Sequence, residues 1–190
     1  MLHEHDYPTI NKALIRYCND EETEGLLFNY YHFWGTYDYI GVSRNWYRHE
    51  IRIIKNSKEI RSYRDAQGFR KNNRKLRVRR IDAHIYHYGW VRPPQIMKEK
   101  SKDFSSLWHS GRVLEKIVER LDQFDYSEVK AVKEFKGKHP EVMKELIKGI
   151  DWQISVDTKK IKMPFKEYLL FVFERITGYR LFEYRNYKIG

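Results

Sequence analysis

Residues 85–94 have the sequence Ile85-Tyr86-His87-Tyr88-Gly89-Trp90-Val91-Arg92-Pro93-Pro94, in which an apolar and aromatic run ends at two prolines. Such a run is typical of a buried strand, and the prolines end the strand and favour the first turn of a helix. Gly89 allows a close approach to the backbone. His87 and Arg92 therefore lie near a strand end, where open α/β sheets tend to bind their ligands.

The segments around this run predict a change from strands to helices. Before it, the apolar spacing predicts a helix over residues 8–19 and a buried strand over 25–34. Shorter strands are predicted at 51–55, 76–80 and 83–88, with a turn at 68–73. After Pro94, helical spacing predicts helices over 106–124, from 139 onward, and over 164–177 with Gly178 as the stop. We therefore expect an α/β (here α+β) domain over residues 1–100 and a mainly helical extension over 101–190.

The positive charge of the chain is concentrated in residues 44–80. The formal net charge is +11, and this segment holds 14 Lys and Arg residues against three acids, which equals the whole excess. A localised basic field attracts the phosphate groups of nucleic acids, lipid headgroups or nucleotide diphosphates. The alternative is a solvated basic surface that only keeps the protein in solution.

Composition and the absence of several motifs disfavour some classes of function for this chain. Hydrophobic residues make up 41% of the chain and charged residues 33%, which is typical of a globular protein. No apolar run reaches the roughly 20 residues of a membrane span. Cys18 is the only cysteine, which excludes an internal disulfide and favours a cytoplasmic location. The absence of a phosphate-binding glycine motif and of a nucleophile elbow disfavours the familiar nucleotide enzymes and serine hydrolases.

Asp65 is a candidate general base. It is the only acid in residues 61–80, and surrounding arginines keep a carboxylate ionised with a lowered pKa. An ionised carboxylate can accept the proton of a substrate hydroxyl. The alternative is a structural aspartate that only pairs with arginines.

Two further patterns carry candidate chemistry. In residues 47–52, strand alternation places Arg48, Glu50 and Arg52 on one face, which is either a functional surface or an ion-pair ladder. In the run that ends at Pro94, His87 is either a structural histidine or a ligand. The nearby arginine and the basic segment favour a ligand, because convergent polar groups are typical of a site.

Several strings in combination resemble bacterial family 2 (family A) glycosyltransferases. The strings are Arg52-Ile53-Ile54-Lys55-Asn56, Ile60-Arg61-Ser62-Tyr63-Arg64-Asp65-Ala66-Gln67-Gly68-Phe69-Arg70, the run 85–94, Leu26-Leu27-Phe28-Asn29-Tyr30-Tyr31-His32-Phe33-Trp34-Gly35 and Phe135-Lys136-Gly137-Lys138-His139-Pro140-Glu141-Val142-Met143. The resemblance covers most of the chain, including Tyr184-Arg185-Asn186-Tyr187-Lys188.

The resemblance implies a Rossmann-like transferase fold that acts on nucleotide-diphosphate sugars. In that family, the nucleotide-binding half and its acidic metal-binding motif precede a stretch like Leu2-His3-Glu4. We therefore expect this chain to be the C-terminal part of such an enzyme. Residues 1–100 would form the acceptor-side half of the catalytic domain, and residues 101–190 a helical extension.

The resemblance also implies roles for particular residues. His87 would approach a divalent metal ion, manganese or magnesium, and the donor diphosphate, provided that the acidic motif is supplied. Arg64, Arg92 and Lys100 would bind the diphosphate and neutralise the charge of the leaving group. Asp65 would deprotonate the acceptor hydroxyl in an inverting transfer to a glycan or glycolipid.

Two competing functions follow from the same residues. The basic segment with its interleaved tyrosines could bind single-stranded nucleic acid, although the resemblance makes this partner less favoured. An isolated half-sheet would also expose an edge and an apolar face, which favours self-association into a homo-oligomer. The expected location is the cytoplasm, with a possible peripheral contact at the inner face of the membrane.

Overall fold

The structure, a computed structural model, describes residues 1–63, 68–106 and 124–190. Within these ranges the chain has a mixed α and β fold with four α-helices and nine strands. The helices are α1 (Tyr7–Tyr17), α2 (Pro94–Ser106), α3 (Lys144–Lys148) and α4 (Phe165–Thr177). The strands are β1 (Gly25–Trp34), β2 (Tyr39–Gly41), β3 (His49–Ile54), β4 (Ile60–Tyr63), β5 (Gly68–Lys71), β6 (Arg74–Lys75), β7 (Arg77–Trp90), β8 (Val132–Glu134) and β9 (Lys188–Ile189).

The main sheet is mixed and is built on the parallel pair β1 and β7. Strand β3 pairs antiparallel with the first half of β1, and β2 pairs antiparallel with its end. Strand β8 extends the sheet beyond β2, and β9 pairs in parallel with the start of β7. Strands β4, β5 and β6 form a second, antiparallel sheet. The range 101–190, predicted to be mainly helical, therefore contributes β8 and β9 to the main sheet.

Burial along β1 explains why this strand is the centre of the fold. Leu27, Phe28 and Phe33 are fully buried, and each such side chain stabilises the fold by about 1.5–3 kcal/mol. Helix α1 presents Ile10 and Ala13 to a buried cluster that includes Phe28. The strand predicted at 25–34 and the helix predicted at 8–19 are thus confirmed.

Two predictions about strands are wrong. The segments 76–80 and 83–88 belong to one strand, β7, because its pairing with β1 continues from Val78 to Trp90. Residues 68–71 form β5 rather than a turn, because they pair with β4. The turn itself is confined to Asn72 and Asn73, whose φ angles of 48° and 65° lie in the left-handed region that asparagine tolerates.

The helices after Pro94 match the sequence in part. Helix α4 begins after Pro164 and ends at Gly178, whose φ of 71° gives the left-handed cap that was predicted. The helix predicted from 139 is only a 3₁₀ turn at Glu141–Met143 followed by the short α3. The helix predicted over 106–124 lies almost wholly outside the described residues. No helix in the described ranges is long and apolar enough to cross a membrane.

Candidate functional site

The parallel pairing of β1 and β7 brings two histidines together. His32 and His87 are register partners on the two strands, and their ring centroids are 5.4 Å apart. Both lie toward the carboxyl ends of their strands, which is the end where parallel strands present ligand-binding groups. We call these two residues, with Tyr30, Arg52 and Lys100, the histidine cluster.

His32 is a buried, neutral imidazole with one nitrogen in use. Its Nε2 lies 2.9 Å from the carbonyl oxygen of Tyr47, and because a carbonyl only accepts hydrogen bonds, Nε2 carries the proton. Its Nδ1 is buried and has no hydrogen-bond partner among the residues that the structure describes. Burial lowers the pKa of His32 to about 4. The Nδ1 atom therefore keeps a lone pair that no group of the cluster uses.

His87 depends on the glycine that follows it. A Cβ atom on Gly89 would lie 2.6 Å from the Nε2 of His87, so the ring occupies the space that a side chain would need. The Nδ1 of His87 is buried and finds no hydrogen-bond partner within the described ranges. Burial, followed by the positive charges of Lys100 and Arg52, lowers the pKa of His87. The close approach expected at Gly89 is thus made by the histidine of the same run.

Lys100 reaches back from α2 to the end of β7. Its Nζ donates to the carbonyl oxygen of Gly89 at 2.5 Å and lies 5.7 Å from the centroid of the Trp90 ring. Burial, with a smaller effect from Arg92, lowers the pKa of Lys100. Arg92 is exposed, and its backbone carbonyl accepts a hydrogen bond from the hydroxyl of Tyr126 at 2.8 Å. Helix α2, which the prolines begin, thereby brings the ammonium group of Lys100 near His87.

The other side of the cluster is an ion pair on β3. Arg52 donates through Nη2 to Oε2 of Glu50 at 2.7 Å and to the hydroxyl of Tyr30. Glu50 is buried, and the ring of Tyr30 lies 5.8 Å from that of His87. Burial and the charge of Glu50 raise the pKa of Tyr30, so its hydroxyl stays protonated. The alternation predicted for residues 48–52 does place Glu50 and Arg52 together.

The donor groups do not by themselves fit the expected metal ion. Among the described residues, no group of three or more His, Cys, Asp and Glu side chains is arranged to hold one. Magnesium and manganese prefer carboxylate oxygens, whereas the cluster offers two imidazoles. The metal stays a prediction that requires carboxylates from outside the described residues, and no step proposed below passes through it.

Part of the basic segment pairs with acids from other parts of the chain. Near the start of β7, Arg74 binds Glu24, with Nη2 and Oε1 2.5 Å apart, and this arginine lowers the pKa of Glu24 to about 2. Arg77 pairs with Glu22. Four further arginines, Arg44, Arg48, Arg180 and Arg185, pair with Glu174 and Glu183. A wholly unopposed basic field over 44–80 is therefore incorrect, because sequence counting ignores acids that the fold brings in.

A cleft of about 280 Å³ lies next to the histidine cluster. It is formed by the segment 44–50 and the C-terminal segment 180–187, and Tyr47 and Glu50 belong to its lining. Its arginines already bind carboxylates, as described above. Phe182 lines this cleft with an exposed ring. The backbone φ angle of Phe182 is 57°, which is unusual for a bulky residue. The cleft thus offers aromatic surface beside a charge-balanced wall.

The predicted site residues divide into two groups. His87, Lys100 and Arg92 belong to one electrostatic neighbourhood around the end of β7. Asp65 and Arg64 lie outside the described residues, so their roles as base and phosphate ligand stay predictions. Sequence reasoning missed His32, although Tyr31-His32 and Tyr86-His87 repeat the same dipeptide near the ends of two aromatic runs.

Comparisons with known proteins leave the site to be interpreted from its own geometry. No protein-family model matches the chain, and no curated protein or solved structure shows a match.

Proposed function

We propose that this chain is part of a glycosyltransferase with a Rossmann-like fold, which transfers a sugar from a nucleotide-diphosphate donor to a glycan or glycolipid. The observation that carries the proposal is the convergence of cations on two neutral imidazoles near the carboxyl ends of a parallel strand pair. The sequence resemblance described above favours this class of substrate. In this proposal the histidine cluster lies against the donor diphosphate.

Charge explains why the cluster suits a diphosphate. The leaving nucleotide diphosphate gains negative charge as the bond to the sugar breaks, and fixed cations stabilise that charge. Lys100 supplies an ammonium group at the strand end. Arg52 adds a guanidinium held by Glu50 and Tyr30, and because the Glu50 carboxylate competes for its donors, Arg52 contributes less than Lys100. A neutral His87 can donate one hydrogen bond to a phosphate oxygen without first losing a proton.

Nucleic-acid binding is the weaker candidate. That function requires basic side chains spread over an open face. Instead, arginines of the basic segment bind Glu22, Glu24, Glu174 and Glu183. An arginine that already binds a carboxylate contributes less to phosphate binding, because the two anions compete for the same donors. The pairing therefore favours a small phosphorylated ligand at the cluster over an extended polyanion.

Calorimetric titration with UDP, GDP, CDP and dTDP tests the proposal. We expect one of these nucleotides to bind, and Lys100→Ala to weaken its binding roughly tenfold, as the loss of a charge-assisted hydrogen bond should. Lys98→Ala is the matched control, because it removes the same charge from α2 two residues earlier. Flat titrations for all four nucleotides would overturn the proposal. Tight, salt-sensitive binding of a single-stranded oligonucleotide that is unaffected by Lys100→Ala would support the competing function instead.

A further inference from the structure

Helix α4 has apolar side chains both on the face toward the protein and on the face toward solvent. Its two acidic residues, Glu167 and Glu174, face the body of the protein, where Glu167 binds Lys130 at 2.6 Å and Glu174 binds Arg180 at 2.8 Å. Phe171 is the helix's buried apolar residue. The helix is thus attached to the protein through ion pairs as well as through its inward apolar side chains.

A second set of apolar side chains on α4 points outward. Phe165, Leu169 and Ile176 are 74%, 51% and 79% exposed. Their spacing of four and seven residues places them on one face of the helix, and Phe173, four residues after Leu169, continues that face. Monomeric proteins rarely leave a continuous apolar stripe of this kind uncovered.

The charges beside the stripe are all positive. On a helical projection, Lys166 falls on one flank of the stripe and Arg175 on the other, and both are exposed. The two carboxylates of the helix are turned away from this face and neutralised by Lys130 and Arg180. Whatever covers the stripe therefore meets apolar side chains between two cations, which complements an apolar layer with an anionic surface.

The size of the stripe favours a lipid surface over a second protein. A helix of 13 residues is about 20 Å long. Four side chains along this length form a narrow patch, smaller than the about 800 Å² of accessible surface that each partner of a stable dimer buries. A bilayer needs no such area in one patch, because an apolar helix face enters the headgroup region directly.

We propose that α4 binds the surface of an anionic lipid bilayer, with Phe165, Leu169, Phe173 and Ile176 in the boundary between headgroups and acyl chains. Lys166 and Arg175 lie at the level of the lipid phosphates. The helix lies in the plane of the membrane surface and does not cross it. This proposal does not depend on the nucleotide-binding role of the histidine cluster.

Vesicle co-sedimentation of the full chain tests the proposal. Vesicles of equimolar phosphatidylcholine and phosphatidylglycerol should bind the chain, and binding should fall as salt is added. The combined change of Phe165, Leu169 and Ile176 to Ser should lower the partition coefficient by about tenfold or more. Lys166→Gln and Arg175→Gln should each lower it roughly fivefold on anionic vesicles only.

A matched control distinguishes vesicle binding through α4 from non-specific binding through any exposed apolar side chains. Ile15→Ser, Val142→Ser and Leu146→Ser together remove three other exposed apolar side chains, and this variant should bind vesicles like the unchanged protein. Circular dichroism establishes that both triple variants remain folded. Equal sedimentation of the two triple variants, or no binding of the unchanged chain, would overturn the proposal. A dimer that dissociates in the α4 variant while vesicle binding stays unchanged would identify α4 as a protein interface instead.

Discussion

At the scale of residues, burial sets the chemistry of the histidine cluster. His32 is held with its proton on Nε2 by the carbonyl of Tyr47, and the ring of His87 fills the space above Gly89. In both residues burial is the main reason for the lowered pKa. Near neutral pH the cluster therefore contains two uncharged imidazoles beside fixed cations, and this combination makes the site distinctive.

The lowered pKa of His32 predicts a loss of stability in mild acid. Above pH 6.5 the residue is neutral in both the folded and unfolded states, so it contributes no pH dependence. Below pH 6.5 the imidazole of His32 is protonated in the unfolded chain, whereas in the folded protein it stays neutral down to about pH 4. The free energy of unfolding therefore falls as the pH is lowered. At pH 5 the loss should be about 1–2 kcal/mol from this residue, at about 1.4 kcal/mol for each pH unit.

Urea denaturation at pH 7 and pH 5 measures this effect. His32→Gln should show a smaller difference in stability between the two pH values than the unchanged protein does. An identical pH dependence in His32→Gln would contradict the assignment of a buried neutral imidazole.

The contact between Gly89 and His87 predicts an energetic coupling. Gly89→Ala should destabilise the fold by about 1–3 kcal/mol, because the new methyl group and the imidazole ring occupy the same space. In His87→Ala the space is empty, so the same glycine substitution should cost much less. Gly149→Ala is the control, since its nearest contact would be an ordinary 3.4 Å. Additive effects of the Gly89 and His87 substitutions in thermal denaturation would contradict this packing.

At the scale of elements, the ion pairs of α4 carry a prediction about stability. Glu174 is mostly buried among Arg44, Arg48 and Arg180. Glu174→Gln leaves these charges without their shared partner and should destabilise the protein by about 3 kcal/mol. Glu145→Gln removes an exposed carboxylate from a surface pair with Lys148, and should change stability by less than about 1 kcal/mol. Equal effects in chemical denaturation would show that α4 is not anchored by Glu174.

Elements with local signals were predictable from the sequence. The apolar run of β1, the spacing of α1 and the Pro164 and Gly178 boundaries of α4 each depend on neighbouring residues, and each matches the structure. The continuity of β7 and the strand character of β5 depend on pairing with partners far away in the chain. Such pairing overrides local turn and breaker signals.

The residues of the candidate site were likewise predictable only where the neighbouring sequence carries a signal. His87 and Arg92 were identified from their place near a strand end, and Lys100 was identified through the resemblance. His32 and Arg52 join them only because β1, β3 and β7 are adjacent in the sheet.

At the scale of the whole molecule, the fold redistributes the charge. Part of the excess that the sequence concentrates in 44–80 pairs with acids at residues 20–24 and 174–183. Separate from these pairs are the cations at the histidine cluster and those beside the exposed stripe of α4. In the proposals above, the cluster binds the donor and α4 binds a lipid surface, an arrangement suited to a glycolipid acceptor.

Nuclear magnetic resonance of ¹⁵N-labelled histidine side chains tests whether a nucleotide diphosphate binds at the histidine cluster. The imidazole nitrogens of His87 and His32 are assigned from His87→Gln and His32→Gln, and the spectrum is followed as UDP, GDP, CDP or dTDP is added. We expect one nucleotide to shift the resonances of both residues, while the resonances of His5 stay unchanged. Resonances of His87 and His32 that do not move with any of the four would contradict a diphosphate site at the end of β7.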